Sequence, residues 1–481
     1  MAESSLREKA ARGFLWGGLN NGLVQIIGAL FGIVILRHLA PDDYGKISML
    51  MVFPALASIL QESGFTAALC NLKEPTHRDY NAVFWFNIGV SALLYGALFF
   101  CAPLIARFYN DPSLLPLSRY LFLGFFISSW GTVQRAYLFI HLMNKESCII
   151  ALTSLVLSNT VGLLMVLAGF SYWGLATQNI LFILIVAVMN WWYSPWRPTL
   201  QFDMAPVRKM FGFSSKLLFT NIINTLSSQA FSFLLGKFYG DYTAGIYGNA
   251  RKWDDMCANT INGMVTGVAL PVLSKVRDER ERYRQVFRKM LRFVSFVSFP
   301  CMLGMGFVAR EFLLVVVGPK WEASAELLSM FSVYGAIFPL MTLYGQMVIG
   351  QGKSQINMWC TIGLSSLILI GLWALHPFGV HTMVVYFIAL NALWLLVWQF
   401  FALRLIRLSF WHAFCDVAPF LLLSLGSMAV AWTATRAIEN IYLLLAGKIA
   451  VTALCYVGIL WILRARILRE SIDYFLHKRK Q

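Results

Sequence analysis

The chain has 481 residues, of which 58% are hydrophobic and 13% are charged, and its formal net charge is +16. An ordinary soluble domain has about 25% charged residues, so this composition indicates a polytopic membrane protein. It excludes a soluble enzyme, a secreted disulfide scaffold and a nucleic-acid-binding module as explanations of the positive charge.

Apolar stretches long enough to cross a membrane follow one another along the whole chain. Because such a helix needs about 20 mostly apolar residues, the sequence predicts about fourteen of them. The first six lie near 14–36, 46–66, 82–106, 116–140, 148–168 and 171–192. The next six lie near 211–236, 244–273, 292–317, 325–350, 355–375 and 380–403, and a last pair lies near 416–436 and 441–463. The predicted fold class is an all-α polytopic membrane protein.

The distribution of basic residues predicts the orientation of these helices. If the N-terminus is cytoplasmic and the loops alternate, 26 of the 39 Lys and Arg residues fall on the cytoplasmic side and eight on the outer side. Cytoplasmic loops of membrane proteins carry such an excess of Lys and Arg. We therefore expect a multi-pass protein with both termini in the cytoplasm.

The longest polar stretch, residues 275–292, carries eight basic residues between two predicted spans. Its apolar residues recur at helical spacing, with Arg and Lys on the other face. This pattern predicts a helix lying at the inner membrane surface. A solvated connector leading into the next span is the alternative.

The second set of six spans repeats the first at an offset of about 200 residues, which indicates an internal duplication. The turn LRHLAPDDYGKI at 36–47, for example, resembles LGKFYGDYTAGIYG at 235–248. The predicted lobes are 1–195 and 196–405, followed by two extra helices and a cytoplasmic tail in 406–481. Because each repeat has an even number of spans, the two lobes should share one orientation and enclose a cavity, as parallel repeats do in transporters.

The opening S-L-R-E-K, the layout of six, six and two spans, and the stretch VALPVLSKVRDE at 268–279 resemble one family. It is the Wzx-type polysaccharide-transport branch of the multidrug/oligosaccharidyl-lipid/polysaccharide (MOP) exporter superfamily. The resemblance implies a flippase of the bacterial inner membrane. Its substrate would be an undecaprenyl-pyrophosphate-linked oligosaccharide, moved from the inner to the outer leaflet by alternating access.

Ionisable side chains within membrane spans are costly, so they usually face a bundle interior or a wet cavity. Seven such residues in predicted spans are candidates for a functional role: Glu62, Arg135, Lys216, Arg251, Lys252, Asp254 and Asp255. Cationic side chains pair with phosphates. Arg135 and Lys216 are therefore predicted to receive the pyrophosphate from the inner side, and Arg251 or Lys252 to attract it outward.

The three acidic residues among the seven, Glu62, Asp254 and Asp255, are predicted to serve in coupling or charge pairing. Snorkelling to the nearest interface is the alternative for the basic residues. For Arg251 a further alternative is pairing with Asp254 and Asp255, which stand three and four residues later, the spacing of neighbours on one helix face.

Polar amides occupy equivalent places in the first and seventh predicted spans. Asn21 and Gln25 share one helix face, and Asn221 and Asn224 share another. Amides that face a cavity can hydrogen-bond sugar hydroxyls, so these four are predicted to contact the oligosaccharide. Hydrogen bonding between helices is the alternative.

The chain contains no phosphate-binding loop and no metalloprotease, kinase or serine-hydrolase motif, and its eight cysteines occur singly. We therefore predict a transporter rather than an enzyme, without a metal or a bound cofactor, driven by a gradient of H⁺ or Na⁺, by the membrane potential or by consumption of the product. The expected partners are the lipid-linked oligosaccharide, membrane lipids and the polysaccharide polymerase machinery, and a monomer suffices. A cation-coupled multidrug exporter and a flippase for the peptidoglycan lipid precursor are the alternatives within the superfamily.

Overall fold

The structure, a computed structural model, describes residues 22–62, 69, 75–201, 203 and 205–462, without the side chains of 60–62, 209–217 and 219–220. The regular structure in these residues is helical throughout, and they contain no strand. The chain divides into two compact units, Met1–Gly248 and Asn249–Gln481. This division falls inside a helix, and the lobe boundaries at 195 and 405 stay a prediction.

In the described residues of the first unit eight helices begin, and they are short at the start and long afterwards. They are α1 (Gly22–His38), α2 (Pro41–Leu50), α3 (Val52–Glu62), α4 (His77–Tyr109), α5 (Leu114–Ile140), α6 (Asn144–Leu167), α7 (Tyr172–Tyr193) and α8 (Ala205–Lys275). Gly240 interrupts α8 with a φ of 83°. Because glycine adopts positive φ without steric cost, one residue suffices to join the two arms of α8.

Seven helices begin in the part of the second unit that the structure describes. They are α9 (Arg280–Phe307), α10 (Ala309–Val316), α11 (Ala323–Gly350), α12 (Ser354–Leu375), α13 (Val380–Ile406), α14 (Phe410–Thr435) and α15 (Ile441–Ile462). Two 3₁₀ turns, Pro319–Trp321 and His376–Phe378, precede α11 and α13.

The predicted membrane spans correspond to these helices. Among the described residues, ten helices are long and apolar enough to cross a membrane, and α8 counts as one of them. The other predicted spans correspond to α1, the α2–α3 pair, α5 and the first arm of α8. The all-α membrane fold class is therefore confirmed.

Two glycines allow α2 to touch the second arm of α8. A Cβ atom added to Gly45 would collide with the carbonyl oxygen of Asp241, and one added to Gly245 would collide with that of Pro41. Small residues permit such close approach of membrane helices. The two contacts are equivalent, since both pairs of corresponding residues are offset by 200 positions. Reciprocal contacts of this kind are typical of a two-fold relation between equivalent elements, which supports the predicted duplication.

The prediction of a separate surface helix within 275–292 is wrong. The chain turns at 276–279, and α9 then runs without interruption from Arg280 into the following span. The apolar face of this region, which includes Tyr283, Phe287 and Leu291, is buried in the core of the second unit. Tyr283 donates a hydrogen bond from Oη to the carbonyl oxygen of Met347 on α11 at 2.7 Å. Packing against α11 therefore takes the place that the membrane surface was predicted to take.

Candidate functional site

A polar cavity lies within the first unit, between α3, α5 and α7. Its volume is about 220 Å³. Hydroxyl and amide side chains from all three helices line it together with apolar residues, and these polar residues are Ser58, Ser128, Thr132, Asn179 and Asn190. Such a lining can donate and accept hydrogen bonds without carrying charge.

Close packing of α5 on α7 forms one wall of this cavity. A Cβ atom added to Gly131 would lie 2.9 Å from the Cα of Ala187, so glycine is needed there. On the same face of α5, Thr132 donates from Oγ1 to the carbonyl oxygen of Ser128 at 3.0 Å. Ser128 in turn donates to the carbonyl oxygen of Phe125 at 2.7 Å. These bonds satisfy the hydroxyl hydrogens locally, and a hydroxyl group can both donate and accept hydrogen bonds.

Arg135 lies on the wall of this cavity, as the sequence predicted for a charged residue within a span. Its side chain is exposed. Among the described residues that line the cavity, Arg135 is the one that carries a charge. A guanidinium beside neutral hydroxyls and amides is suited to bind an anionic group that also has hydrogen-bonding substituents.

The remaining residues predicted for the N-terminal half and the start of α8 are not brought to this cavity. Gln25 on α1 and Asn221 on α8 are half-buried, and Asn224 is exposed, but none of the three lines it. Asn21 lies outside the described residues. The side chains of Glu62 and Lys216 also lie outside them, although the backbones of both residues are helical.

Sequence reasoning missed the neutral members of the cavity. Ser128, Thr132 and Arg135 follow one another at helical spacing, which places them on one face of α5. Asn179 and Asn190 are amides within an otherwise apolar helix, α7. A search for all polar residues inside spans, and not for charged ones alone, would have found these positions.

The charged cluster predicted in the eighth span lies in the second unit, where its members pair with one another. One guanidinium nitrogen of Arg251 is 2.9 Å from Oδ2 of Asp254, and the other is 2.6 Å from Oδ1 of Asp255. The rings of Phe331 and Tyr334 on α11 lie 5.3 and 5.4 Å from the guanidinium carbon. The pairing that the helical spacing predicted as an alternative is thus the observed geometry. A substrate-binding role for Arg251 stays a prediction.

Lys252 is half-buried beside this cluster. Its Nζ lies 6.0 Å from the centre of the Trp253 ring, at the limit of the range for a cation–π contact. Trp253 is itself fixed, because its Nε1 donates to Oδ1 of Asn249 at 3.0 Å. The predicted role of Lys252 in attracting the pyrophosphate is left as a prediction.

Two further charge clusters join helices of the second unit. Lys448 on α15 and Glu311 on α10 lie 2.7 Å apart, and both side chains are largely buried. Asp416 on α14 accepts hydrogen bonds from Nε of Arg288 at 2.6 Å and from Nε of Arg292 at 2.7 Å. In these two clusters, charges on neighbouring helices therefore compensate each other.

Two carboxylates in the turns of the first unit are also matched. The pKa of Asp111 lies below its usual value: partial burial raises it, but hydrogen bonds from Ser113 and the charge of Lys46 lower it further. The pKa of Asp203 is lowered by a hydrogen bond from the backbone of Ala205 and by the contact with Arg78. Both groups are ionised partners that hold a turn against a helix.

Two curated proteins are similar to this chain over most of its length. The lipopolysaccharide biosynthesis protein WzxC of Escherichia coli K12 is 28% identical over 369 residues, which cover 73% of this chain and 72% of that protein. The teichuronic acid biosynthesis protein TuaB of Bacillus subtilis 168 is 24% identical over 466 residues, which cover 95% and 96% of the two chains.

Solved transporter structures share the fold. The lipid II flippase MurJ, in an inward closed conformation, has a TM-score of 0.73 at 14% identity and covers 95% of this chain and 100% of its own. An inward-facing multidrug resistance MATE transporter of the MOP superfamily has a TM-score of 0.59 at 13% identity, covering 88% and 100%. At these identities the likeness establishes the fold.

A family model described as polysaccharide biosynthesis protein matches residues 34–326, which is more than half of the chain. Together with the relatives and the shared fold, this match agrees with the resemblance that the sequence motifs carry. The chain therefore belongs to the polysaccharide biosynthesis protein family, and it is an integral membrane protein with the fold of the MOP superfamily of transporters.

Proposed function

We propose that this protein is a flippase for oligosaccharide linked to undecaprenyl pyrophosphate. It moves the lipid from the inner to the outer leaflet of the bacterial inner membrane, with both termini in the cytoplasm. The observation that carries the proposal is the position of Arg135 in a cavity otherwise lined by hydroxyl, amide and apolar groups. A phosphate-linked glycan is complementary to this lining, since it joins an anion to a chain of hydroxyl groups.

The chemistry of the cavity fits the difficult step of such transport. Lipid tails offer nothing to a phosphate or a sugar, so both must exchange water for protein groups inside the membrane. Arg135 would pair with a phosphate through charge-assisted hydrogen bonds. Ser128, Thr132 and the amides of Asn179 and Asn190 would replace water around the sugars.

Other residues are proposed to act on the substrate outside this cavity. Lys216 would receive the pyrophosphate together with Arg135, and Arg251 or Lys252 would bind it later in the cycle. The amides proposed to contact sugar are Asn21, Gln25, Asn221 and Asn224. Glu62 would serve in coupling to an ion gradient.

The contact between α2 and the second arm of α8 supports alternating access. At Gly45 and Gly245 the two helices meet through backbone atoms, and the side chains of Tyr44 and Ser48 lie against Gly248 beside this contact. In the orientation that the basic residues predict, it lies on the outer side. We infer that it closes the outer entrance and opens when the substrate leaves.

The test is reconstitution of the full-length protein in liposomes that contain a fluorescent undecaprenyl-pyrophosphate-linked disaccharide. The measured quantity is the rate at which inner-leaflet lipid becomes accessible to a membrane-impermeant quencher. We expect a rate well above that of protein-free liposomes. A rate equal to that of protein-free liposomes, for protein that remains folded, would contradict the proposal.

The same liposomes separate the alternatives within the superfamily. A flippase for the peptidoglycan precursor would move a lipid-linked muropeptide in preference to the disaccharide. A multidrug exporter would move neither lipid and would instead transport organic cations against an imposed pH or sodium gradient. Either preference would replace the proposed substrate class.

A further inference from the structure

Two carboxylates on α8 share one guanidinium. Arg251 contacts Asp254 and Asp255 on successive positions of one helical turn, at 2.9 and 2.6 Å. If both aspartates were ionised, these three residues would carry a net charge of −1. A net charge inside a membrane span is costly, so a proton or a further cation is required. Lys252 is the other cation beside the cluster, and its Nζ lies over the Trp253 ring, at 6.0 Å from the ring centre.

Asp254 is the buried member of this cluster. Its side chain is fully buried, and its Oδ1 atom has no hydrogen-bond partner. Gly335 of α11 lies against that oxygen, since a Cβ atom added to Gly335 would lie 2.6 Å from it. The methyl group of Met302 on α9 also lies against Gly335. A carboxylate oxygen without a partner in such surroundings is far less favourable than the neutral acid.

Asp255 differs from Asp254 in the exposure of its side chain and in the hydrogen bonding of its Oδ1 atom. Its side chain is 45% exposed, and its Oδ1 accepts the shorter of the two hydrogen bonds from Arg251. The ionised form of Asp255 is thus supported by the guanidinium of Arg251. The charged and titratable groups around the cluster are Arg251, Lys252, Asp255 and Cys257 on α8 and Tyr334 on α11, and Cys301 on α9 lies beside Cys257.

We propose that Asp254 and Asp255, with Arg251 between them, form a proton-binding site whose occupancy is linked to phosphate binding. Asp254 carries a proton in this conformation, and Arg251 balances Asp255. A metal cation would need about six oxygen ligands. In the part of the chain that the structure describes, no group of three or more His, Cys, Asp or Glu residues could hold one.

The link to phosphate follows from the shared guanidinium and rests on the proposed function. A phosphate that draws Arg251 toward itself removes the cation from Asp255. That carboxylate then takes a proton from water, so one proton is bound for each phosphate that captures Arg251. By reciprocity, protons on both carboxylates strengthen phosphate binding to Arg251. This linkage would make the proton occupancy of the two carboxylates depend on whether the anionic lipid is bound.

Infrared spectroscopy of the full-length protein in lipid nanodiscs tests the buried proton. We expect a C=O stretching band of a protonated carboxyl group at pH 7 in the wild type. The band should be lost in Asp254→Asn and kept in Asp255→Asn, and Asp254→Glu should retain it at a shifted frequency. A band that is absent at pH 7 in the wild type, or unchanged in Asp254→Asn, would overturn the proposal.

Addition of inorganic pyrophosphate tests the linkage in the same sample. The protonated-carboxyl band should gain the intensity of a second carboxyl group in the wild type and should not change in Arg251→Gln. No gain in the wild type, or an equal gain in the variant, would overturn the linkage. Because the band is measured without transport, its loss and a failure of disaccharide flipping are separate results.

Discussion

The two units differ in what surrounds the charged side chains of their spans. In the first unit Arg135 faces a cavity whose other polar groups are neutral hydroxyls and amides. In the second unit every charge cluster described above joins opposite charges, as in Lys448–Glu311 or Arg288–Asp416. Breaking a buried pair leaves an uncompensated charge, so the ion pairs of the second unit stabilise its helices. Arg135 presents its charge to the cavity instead, where it is suited to bind an anion.

This difference predicts opposite phenotypes for similar substitutions. Removing a charge from a pair in the second unit should reduce stability. Removing Arg135 should reduce transport and leave stability nearly unchanged. The predictions below test the comparison in order of decreasing expected effect.

The largest effect is expected at the pair between α10 and α15. Lys448→Met leaves the buried carboxylate of Glu311 without its cation, and breaking a buried pair costs about 3–5 kcal/mol. The free energy of unfolding, measured by denaturant titration in detergent micelles, should fall by this amount. The double variant Lys448→Met with Glu311→Gln should recover most of the loss. A single variant as stable as the wild type would show that the pair does not hold α15.

A smaller loss is expected between α9 and α14. Asp416→Asn removes the carboxylate that accepts from Arg288 and Arg292, and hydrogen bonds to charged groups contribute about 1.5–3 kcal/mol. The matched control is Glu322→Gln, whose partner Arg310 is exposed, so its cost should stay below about 1 kcal/mol. Equal unfolding free energies for the two variants would contradict the stabilising role of Asp416.

A substitution at the glycine contact between α2 and α8 should change the rate of lipid flipping more than the free energy of unfolding. Gly45→Leu places a side chain against the carbonyl of Asp241 and should prevent the two helices from closing. We expect flipping to slow by at least about tenfold, equivalent to 1.4 kcal/mol. Gly96→Leu on α4, where nothing lies within 4 Å of an added Cβ, is the control and should flip lipid at the wild-type rate. Similar rates for the two variants would remove the contact from the mechanism.

The smallest effect concerns pH and the turn between α4 and α5. Because the pKa of Asp111 is below its usual value in the folded protein, its contribution to stability is complete above about pH 4, the unfolded value. It is lost as the pH falls through the folded value. The contribution should be under about 1 kcal/mol, since the pair with Lys46 is partly exposed. Denaturant titration between pH 3 and 6 should show a weaker pH dependence in Asp111→Asn. An unchanged dependence would exclude this carboxylate as its source.

Much of the fold follows from local features of the sequence. Long apolar runs predict the spans because the bilayer requires them, and the spacing of Arg251, Asp254 and Asp255 predicts their pairing because helix geometry fixes it. The similar turns at 36–47 and 235–248 indicate the duplication, and the structure shows that glycines in these two turns meet.

The rest depends on which helices become neighbours. Asn179 and Asn190 join Ser58 and Arg135 in one cavity only because α3, α5 and α7 pack together, and no local pattern encodes that packing. Likewise, an apolar face such as that of residues 280–292 can pack against a membrane surface or against another helix. In the structure this face packs against the neighbouring helix α11, where Phe287 contacts Tyr344.

The central claim is that Arg135 binds the anionic part of the transported lipid. Its most direct test compares Arg135→Gln with Arg119→Gln in the liposome assay. Arg119 lies on the same helix, but its guanidinium lies over the ring of Phe99 at 4.1 Å and does not line the cavity. The account predicts that Arg135→Gln loses lipid flipping while Arg119→Gln keeps it, with both proteins folded. Equal flipping by the two variants would contradict it.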